Sequence, residues 1–166
     1  MGGKHKVPMA DLRSVFEQAG FGDVTTLLNT GNVVFSADSQ DIHSLQTACE
    51  SLLEKKFGWH IPVLLRTQEW LQKIERDDPF KNIEITPHTR LYVTFLPDDV
   101  GSNVSLPYTS ENGLFRILKH VDGALFSVLV LSQEGDSLKL MDIIGKEYGT
   151  NVTTRNWNTV KKLAAL

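Results

Sequence analysis

Apolar residues recur at three- and four-residue steps in two early stretches of the chain, and β-rich runs lie between them. The first stretch predicts a helix over residues 8–19, which Pro8 can open and Gly20 can close. The second predicts a helix over residues 39–57. Asn and Gly in the intervening "NTGN" (residues 29–32) tolerate positive φ, so a hairpin is predicted there.

After the second helix, residues 61–67 ("IPVLLRT") read as a strand and a short helix follows from Thr67. The order αββαβ is the split βαβ (ferredoxin-like) pattern without its opening strand. That strand is normally central, so its absence would leave unpaired backbone groups at a sheet edge. We therefore expect this half to close up, to borrow a strand from another chain, or to be loosely packed. The chain is predicted to form a homo-oligomer through the exposed sheet edge, or to be less stable than a version with the strand restored.

The remaining pattern predicts a second half with its own strands and helices. A strand ("LYVTFL"), a long irregular loop over residues 97–113 and a hairpin about Asp122-Gly123 come first. A helix from Leu138 to Tyr148 and a final helix from about Arg155 follow. Strands that come in hairpins rather than in strict βα alternation favour the α+β class.

The predicted fold is therefore α+β, with two small ferredoxin-like halves of which the first lacks its opening strand. The polar stretch "DDPFKNIEITPHT", with its two prolines, is typical of a connector. It divides the chain into an N-terminal half (residues 1–76), a linker (77–89) and a C-terminal α+β half (90–166).

The composition limits the classes of protein to which the chain can belong. The chain has 166 residues, 41% of them hydrophobic and 22% charged, as in an ordinary globular domain. With a net charge of −3, the protein as a whole has no basic field that would attract nucleic acid. The net charge does not exclude a local basic patch. The single Cys49 excludes an intrachain disulfide and fits a reducing compartment. No apolar run approaches the roughly 18 residues of a membrane span. The predicted location is cytoplasmic, with no membrane partner.

Metal and catalytic signals are weak. None of the five histidines lies four residues from another, so we predict no metal, and no motif implies a cofactor. Cys49 falls on the apolar stripe of its helix, which favours a buried structural thiol over a nucleophile. The sequence names no catalytic residue and leaves open whether the protein is an enzyme.

Two polar stretches could bind an anion. The start "GGKHKVPM" has backbone N–H groups and lysines ahead of a helix, which could hold an anion. It lacks the full phosphate-loop spacing, and a flexible, solvated loop is the favoured interpretation. In "TTRNWNTVKK", the structural interpretation makes Thr153 or Thr154 a helix cap. The functional interpretation makes a polar platform for an anion or nucleotide from Arg155, Asn156, Asn158, Lys161 and Lys162. With the "TGN" turn, the candidate ligand-binding residues are Lys4, Lys6, Asn29, Gly31, Asn32, Arg155, Asn156 and Asn158.

The stretches "GGKHKVPMADLRSVFEQAGFGDVTTLLNTGNVVFS", "DDPF" and "TTRNWNTVKKLAAL" together resemble the bacterial family known as domain of unknown function 1697. The resemblance runs nearly end to end and is loose over residues 97–148. It implies an α+β protein of ferredoxin-like units and no established activity, so it supplies no catalytic residues. The positions that match its motifs are Gly2, Gly3, Lys4, Lys6, Gly31, Asn32, Arg155, Asn156, Trp157 and Asn158.

Members of that family enter the Gly-Gly-Lys loop from an apolar strand followed by Arg-Gly-Ile-Asn-Val, and Met1 stands where the Val would be. A GTG start codon is read as Met. One hypothesis is therefore a start codon placed too far downstream, and the alternative is a shortened protein. An in-frame stop codon upstream would exclude the first.

The preferred hypothesis is a small cytosolic binding module that takes an anionic, nucleotide-like or nucleic-acid ligand in the cleft between its halves. One alternative is an enzyme whose pocket is assembled across the two halves, for which a carboxylate or histidine buried beside Arg155 would be evidence. Another is an interaction protein that pairs through sheet edges.

Overall fold

The computed structural model describes residues 5–39, 41–101, 104–132 and 136–166. The chain forms two compact units, the first running to Thr67 and the second from Gln68 to Ala165. Each is described by itself below.

The described residues of the first unit form two helices and a hairpin: α1 (Met9–Gln18), β1 (Gly22–Leu27), β2 (Asn32–Ser36) and α2 (Ile42–Phe57). The predicted helices and hairpin are confirmed. The second helix begins three residues later than predicted, because the Asp41 side chain accepts the N–H groups of the first turn and so caps the helix at that point.

The core of the first unit joins both helices to the hairpin. Cys49 lies within it with 0% of its surface exposed, and burial raises the pKa of its thiol to about 11. The predicted buried structural thiol is therefore confirmed. The buried apolar members of this core are Leu12, Val15, Phe16, Val24, Cys49 and Leu53.

The predicted strand over residues 61–67 is wrong. In the described part of the chain this segment joins neither sheet, and β1 and β2 form a two-stranded sheet by themselves. A strand needs a backbone neighbour to bond its N–H and C=O groups. Here the side chains of α2 take two of those N–H groups instead.

The second unit contains three helices and five strands in its described residues. They are α3 (Gln68–Asp77), β3 (Thr89–Phe95), β4 (Tyr108–Thr109), β5 (Phe115–Val121), β6 (Ala124–Val130), α4 (Asp136–Tyr148), β7 (Thr153–Asn156) and α5 (Trp157–Ala164). The sheet is antiparallel with order β4-β5-β6-β3-β7. The order β5-β6-β3-β7 is that of the split βαβ unit. An irregular connection that contains β4 stands where the first crossover helix would be. The protein is thus of the α+β class.

Helices cover both faces of this sheet. One face packs on α4, and the buried members of that core are Leu96, Phe115, Ile117, Leu125, Leu129, Leu140, Ile144 and Tyr148. On the other face lie α3 and α5, which are tied together because Gln68 Nε2 donates to the carbonyls of Leu163 and Ala164 at the end of α5. The predicted linker, residues 77–89, follows α3 within the second unit.

The hairpin predicted at Asp122-Gly123 is confirmed. Both residues have positive φ, 48° and 77°, as a type I′ turn requires.

The predicted final helix is confirmed, but it begins two residues later than expected, since residues 153–156 form β7 and pair with β3. The Thr94 and Thr154 hydroxyls bond across that pair at 2.8 Å. The helix α5 begins at Trp157, and its cap is Asn156 rather than Thr153 or Thr154.

Candidate functional site

A concave pocket of about 540 Å³ lies in the second unit, beside the first turn of α5. Its walls come from the loop after α3, the start of β3 and the start of α5. The lining residues are Asp78, Phe80, Ile85, Thr89, Arg90, Leu91, Asn156, Trp157, Asn158 and Lys161. A volume of this size suits a small organic ligand.

Two aromatic residues, Phe80 and Trp157, belong to the apolar part of the pocket lining. Phe80 is 4% exposed, and its ring meets that of Trp157 edge-on with centroids 5.3 Å apart. The local sequence places Phe80 there: Asp78 has φ 37°, and its carboxylate accepts the Phe80 N–H at 3.1 Å, which turns the chain inward after α3. Ile85, 63% exposed, extends this apolar surface to solvent.

Two cations and an amide stand beside that surface. Arg90 Nη1 donates to the carbonyls of Pro87 and Thr89, at 2.9 and 3.1 Å, which holds the guanidinium at the start of β3. Asn158 and Lys161 are three residues apart on α5 and so share one side of the helix.

The charge of the lining favours an anion. It holds two basic side chains and one carboxylate, that of Asp78, whereas the whole protein has a net charge of −3. The N–H groups of the first turn of α5 have no acceptor within the helix and add a partial positive charge at the same end. An anionic group beside Arg90 and Lys161 would interact with these basic side chains and with the partial positive charge at the start of α5.

The predicted residues of the "RNWN" stretch divide into three roles. The Asn156 side chain accepts the N–H and the hydroxyl of Thr159, at 2.8 and 2.9 Å, and so caps α5. Asn158 is exposed and lines the pocket. Arg155 does not line it. Its Nη1 donates to Thr153 Oγ1 and to the Thr154 carbonyl, and burial lowers the pKa of the guanidinium, which stays charged.

The predicted residues of the first half lie in the first unit. Asn32 is 8% exposed, and its Nδ2 donates to the Leu27 carbonyl and to Thr30 Oγ1, so it holds the hairpin turn together. Gly31 supplies the positive φ of that turn, 81°, and Asn29 is exposed in it. Lys6 is exposed. Lys4, Gly2 and Gly3 lie outside the described residues.

Sequence reasoning missed Phe80, Ile85 and Arg90 as site residues. Phe80 ends the "DDPF" stretch, which carried a family resemblance but no chemical signal. Arg90 flanks an apolar strand, where a lone arginine is ordinary. Only the packing of the loop after α3 against α5 brings them beside Asn158.

Among the described residues no three His, Cys, Asp or Glu side chains come together as a metal site would need. In the same part of the chain, none of the helices has the length and apolar character to cross a membrane.

The fold and the pocket define a two-unit α+β protein with a small basic site in its second unit. Residues 1–124 match the model of the family described as protein of unknown function (DUF1697), and the chain belongs to that family. The "TTRNWNTVKKLAAL" stretch lies beyond the matched residues. No curated protein matches the chain.

A solved structure of a conserved bacterial protein from Streptococcus pneumoniae is similar, with a TM-score of 0.73 over 99% of this chain and 91% of that one. The two sequences are 18% identical, so the likeness concerns the fold alone.

Proposed function

We propose that the second unit binds a small organic anion with a planar body, a nucleotide-like molecule, in the pocket beside α5. The observation that carries the proposal is the position of Arg90, Lys161 and Asn158 next to the aromatic pair Phe80 and Trp157. The cations suit a phosphate or carboxylate, and the apolar wall suits a flat ring.

A mononucleotide fits these observations better than a nucleic acid does. Nucleic-acid binding gains most of its affinity from many phosphate contacts. The pocket offers two basic side chains in a protein of net charge −3. The amide of Asn158 can both donate and accept, as recognition of a base or sugar requires.

The test is isothermal titration of the full chain with AMP, GMP, ADP and inorganic phosphate, and with a single-stranded oligonucleotide. We expect at least one nucleotide to bind more tightly than phosphate, because only the nucleotide can use the apolar wall. Tighter binding of the oligonucleotide than of any mononucleotide would assign the surface to nucleic acid instead.

Lys161→Met and Lys162→Met form a matched pair on one helix, since Lys162 is exposed and is not part of the lining. Loss of a charge-assisted contact should weaken nucleotide binding about tenfold or more in Lys161→Met and leave Lys162→Met unchanged. Arg90→Gln against Arg116→Gln, another exposed arginine, repeats the comparison. Equal effects within both pairs, or no nucleotide binding up to about 1 mM, would exclude the proposal.

A further inference from the structure

Asp78 places a carboxylate in a pocket whose other charged side chains are basic. Its Oδ1 accepts the Phe80 N–H at 3.1 Å, which holds the carboxylate beside the aromatic wall. Among the residues that the structure describes, Oδ2 receives no hydrogen bond, and neither Arg90 nor Lys161 forms an ion pair with Asp78. The turn needs only one side-chain oxygen, and a second negative oxygen repels an anion. The carboxylate therefore indicates a ligand that carries hydrogen-bond donors as well as its anionic group.

The alternation of hydrogen bonds along β3 determines which of its backbone groups face β6 and which face β7. Leu96 N–H donates to the Gly123 carbonyl at 2.8 Å, and Leu131 N–H donates to the His88 carbonyl at 2.9 Å. Both pairs keep the register of the β3–β6 ladder. Hydrogen-bonded pairs recur at every second residue of an antiparallel strand. The even-numbered residues of β3 therefore bond to β6, and the odd-numbered ones direct their N–H and C=O groups toward β7.

Leu91 is an odd-numbered residue of β3, so its N–H points to the β7 side of the strand. β7 ends at Asn156, which pairs with Tyr92, and in the described part of the chain no strand residue stands opposite Leu91. Beyond that point α5 replaces β7, and the pocket is lined by Leu91 together with Trp157 and Asn158. The Leu91 N–H thus adds a hydrogen-bond donor to the pocket wall.

We propose that Asp78 and Leu91 recognise the base of a guanine nucleotide. The carboxylate accepts the adjacent N1–H and N2–H donors of guanine, and the Leu91 N–H donates to O6. This inference rests on the proposed function and adds the identity of the base. Two adjacent donors suit a carboxylate because both of its oxygens accept, and guanine alone among the common bases presents them on this edge. Adenine places the lone pair of N1 there, which a carboxylate repels.

The ribose of a nucleotide offers another pair of donors, its 2′- and 3′-hydroxyls, which a carboxylate also binds. The bond from Asp78 to the Phe80 backbone favours the base, since a ring that packs on Phe80 brings its own edge to that carboxylate. Enzymes that act on a base read it in this way, by its hydrogen-bonding edge and by packing on aromatic side chains.

The test is isothermal titration of the full chain with GMP, IMP, AMP and dGMP. IMP differs from GMP only in lacking the N2 amine, so we expect GMP to bind about tenfold or more tightly than IMP. AMP should bind more weakly still, and dGMP should bind as GMP does. Equal binding of GMP and IMP with weaker binding of dGMP would assign the carboxylate to the ribose and overturn the inference.

Asp78→Asn should transfer the preference from GMP to XMP, which has a carbonyl in place of the N2 amine, because an amide N–H donates to that carbonyl. Asparagine keeps the turn, since its oxygen can accept the Phe80 N–H and the residue tolerates the φ of 37°. Asp77→Asn is the matched control, because Asp77 is exposed and is not part of the lining. That variant should keep the preference for GMP. Urea denaturation midpoints establish that each variant is folded.

The Leu91 amide resonance supplies a measurement that needs no variant. It should shift with GMP and with IMP, which share O6, and stay in place with inorganic phosphate. An equal shift with phosphate would assign this N–H to the anion and overturn its role at the base.

Equal binding of GMP, IMP and AMP, or an Asp78→Asn variant that keeps the preference for GMP, would overturn this inference and leave the proposed function standing. No binding of any nucleotide up to about 1 mM would exclude the proposed function and this inference together.

Discussion

The Phe80 ring meets the Trp157 ring edge-on at 5.3 Å, and this contact joins the loop after α3 to the first residue of α5. Phe80 also meets Phe126 of β6 edge-on at 6.0 Å. The three rings tie loop, helix and sheet together at the base of the pocket. The stability of the second unit and the shape of the candidate site therefore depend on the same side chain.

Phe80→Ala should lower the free energy of unfolding by about 3–5 kcal/mol, because it removes a buried aromatic side chain and leaves a cavity. Phe80→Leu should cost clearly less, since it keeps most of the volume. Urea denaturation measures both. If Phe80→Ala unfolds at the same midpoint as the unmodified protein, the ring is not part of the core.

Asn156→Ala should cost about 1 kcal/mol of stability, because it removes the cap that accepts the Thr159 N–H. Asn156→Asp should stay close to the unmodified protein, since Asp is an equally good cap. The matched variant Asn158→Ala should leave stability almost unchanged and weaken nucleotide binding. An equal loss of stability in the two alanine variants would contradict this division of roles.

Alkaline pH should destabilise the first unit through Cys49. Burial raises the pKa of the folded thiol from 9.0 to about 11, so the folded state retains a proton that the unfolded chain releases. Stability is thus unaffected below about pH 9 and falls as the pH rises from 9 to about 11. Denaturant midpoints at pH 8 and pH 10.5 should differ more in the unmodified protein than in Cys49→Ala. Equal differences would show that other groups cause the loss.

Gly123→Ala and Gly145→Ala should change the free energy of unfolding in opposite directions. Gly123 has φ 77° in the β5–β6 turn, where an L side chain costs about 1–2 kcal/mol. Gly145 lies within α4, and nothing stands within 4 Å of an added Cβ. Alanine there should stabilise the helix by about 0.5–1 kcal/mol. Thermal unfolding measures the stability of both variants. Destabilisation by Gly145→Ala would mean that α4 needs that glycine.

Much of the secondary structure could be predicted because its causes are local. The end of α1 follows from Gly20, with φ 89°, and the β5–β6 turn from the Asp-Gly pair. Helix periodicity placed Cys49 in the core before any packing was known. Such features depend on the preferences of a few neighbouring residues, so the sequence shows them directly.

Two segments were assigned to the wrong secondary structure, because contacts with distant parts of the chain determine their conformation. Residues 61–67 have a strand-like composition but find no strand beside them in the described chain, and Glu50 and Gln46 bond their backbone instead. Residues 153–156 looked like the start of a helix, yet β3 offers them an edge and they pair with it. In both cases a distant element decided the local structure, as it commonly does for short segments.

The candidate site was only partly visible for the same reason. Asn158 could be singled out because two asparagines inside a helix carry a propensity cost that a specific contact would explain, and Asn156 proved to be the cap. Arg90 and Phe80 are separated from Asn158 by more than sixty residues, so no spacing rule connects them.

The sequence by itself therefore determined the α+β class, the end of α1 at Gly20, and membership of the family. Only the tertiary structure decided which polar groups meet in one pocket and which strand edge is covered by side chains. The physical reason is that capping and periodicity act over a few residues, whereas a pocket and a sheet edge are made by segments far apart in the chain.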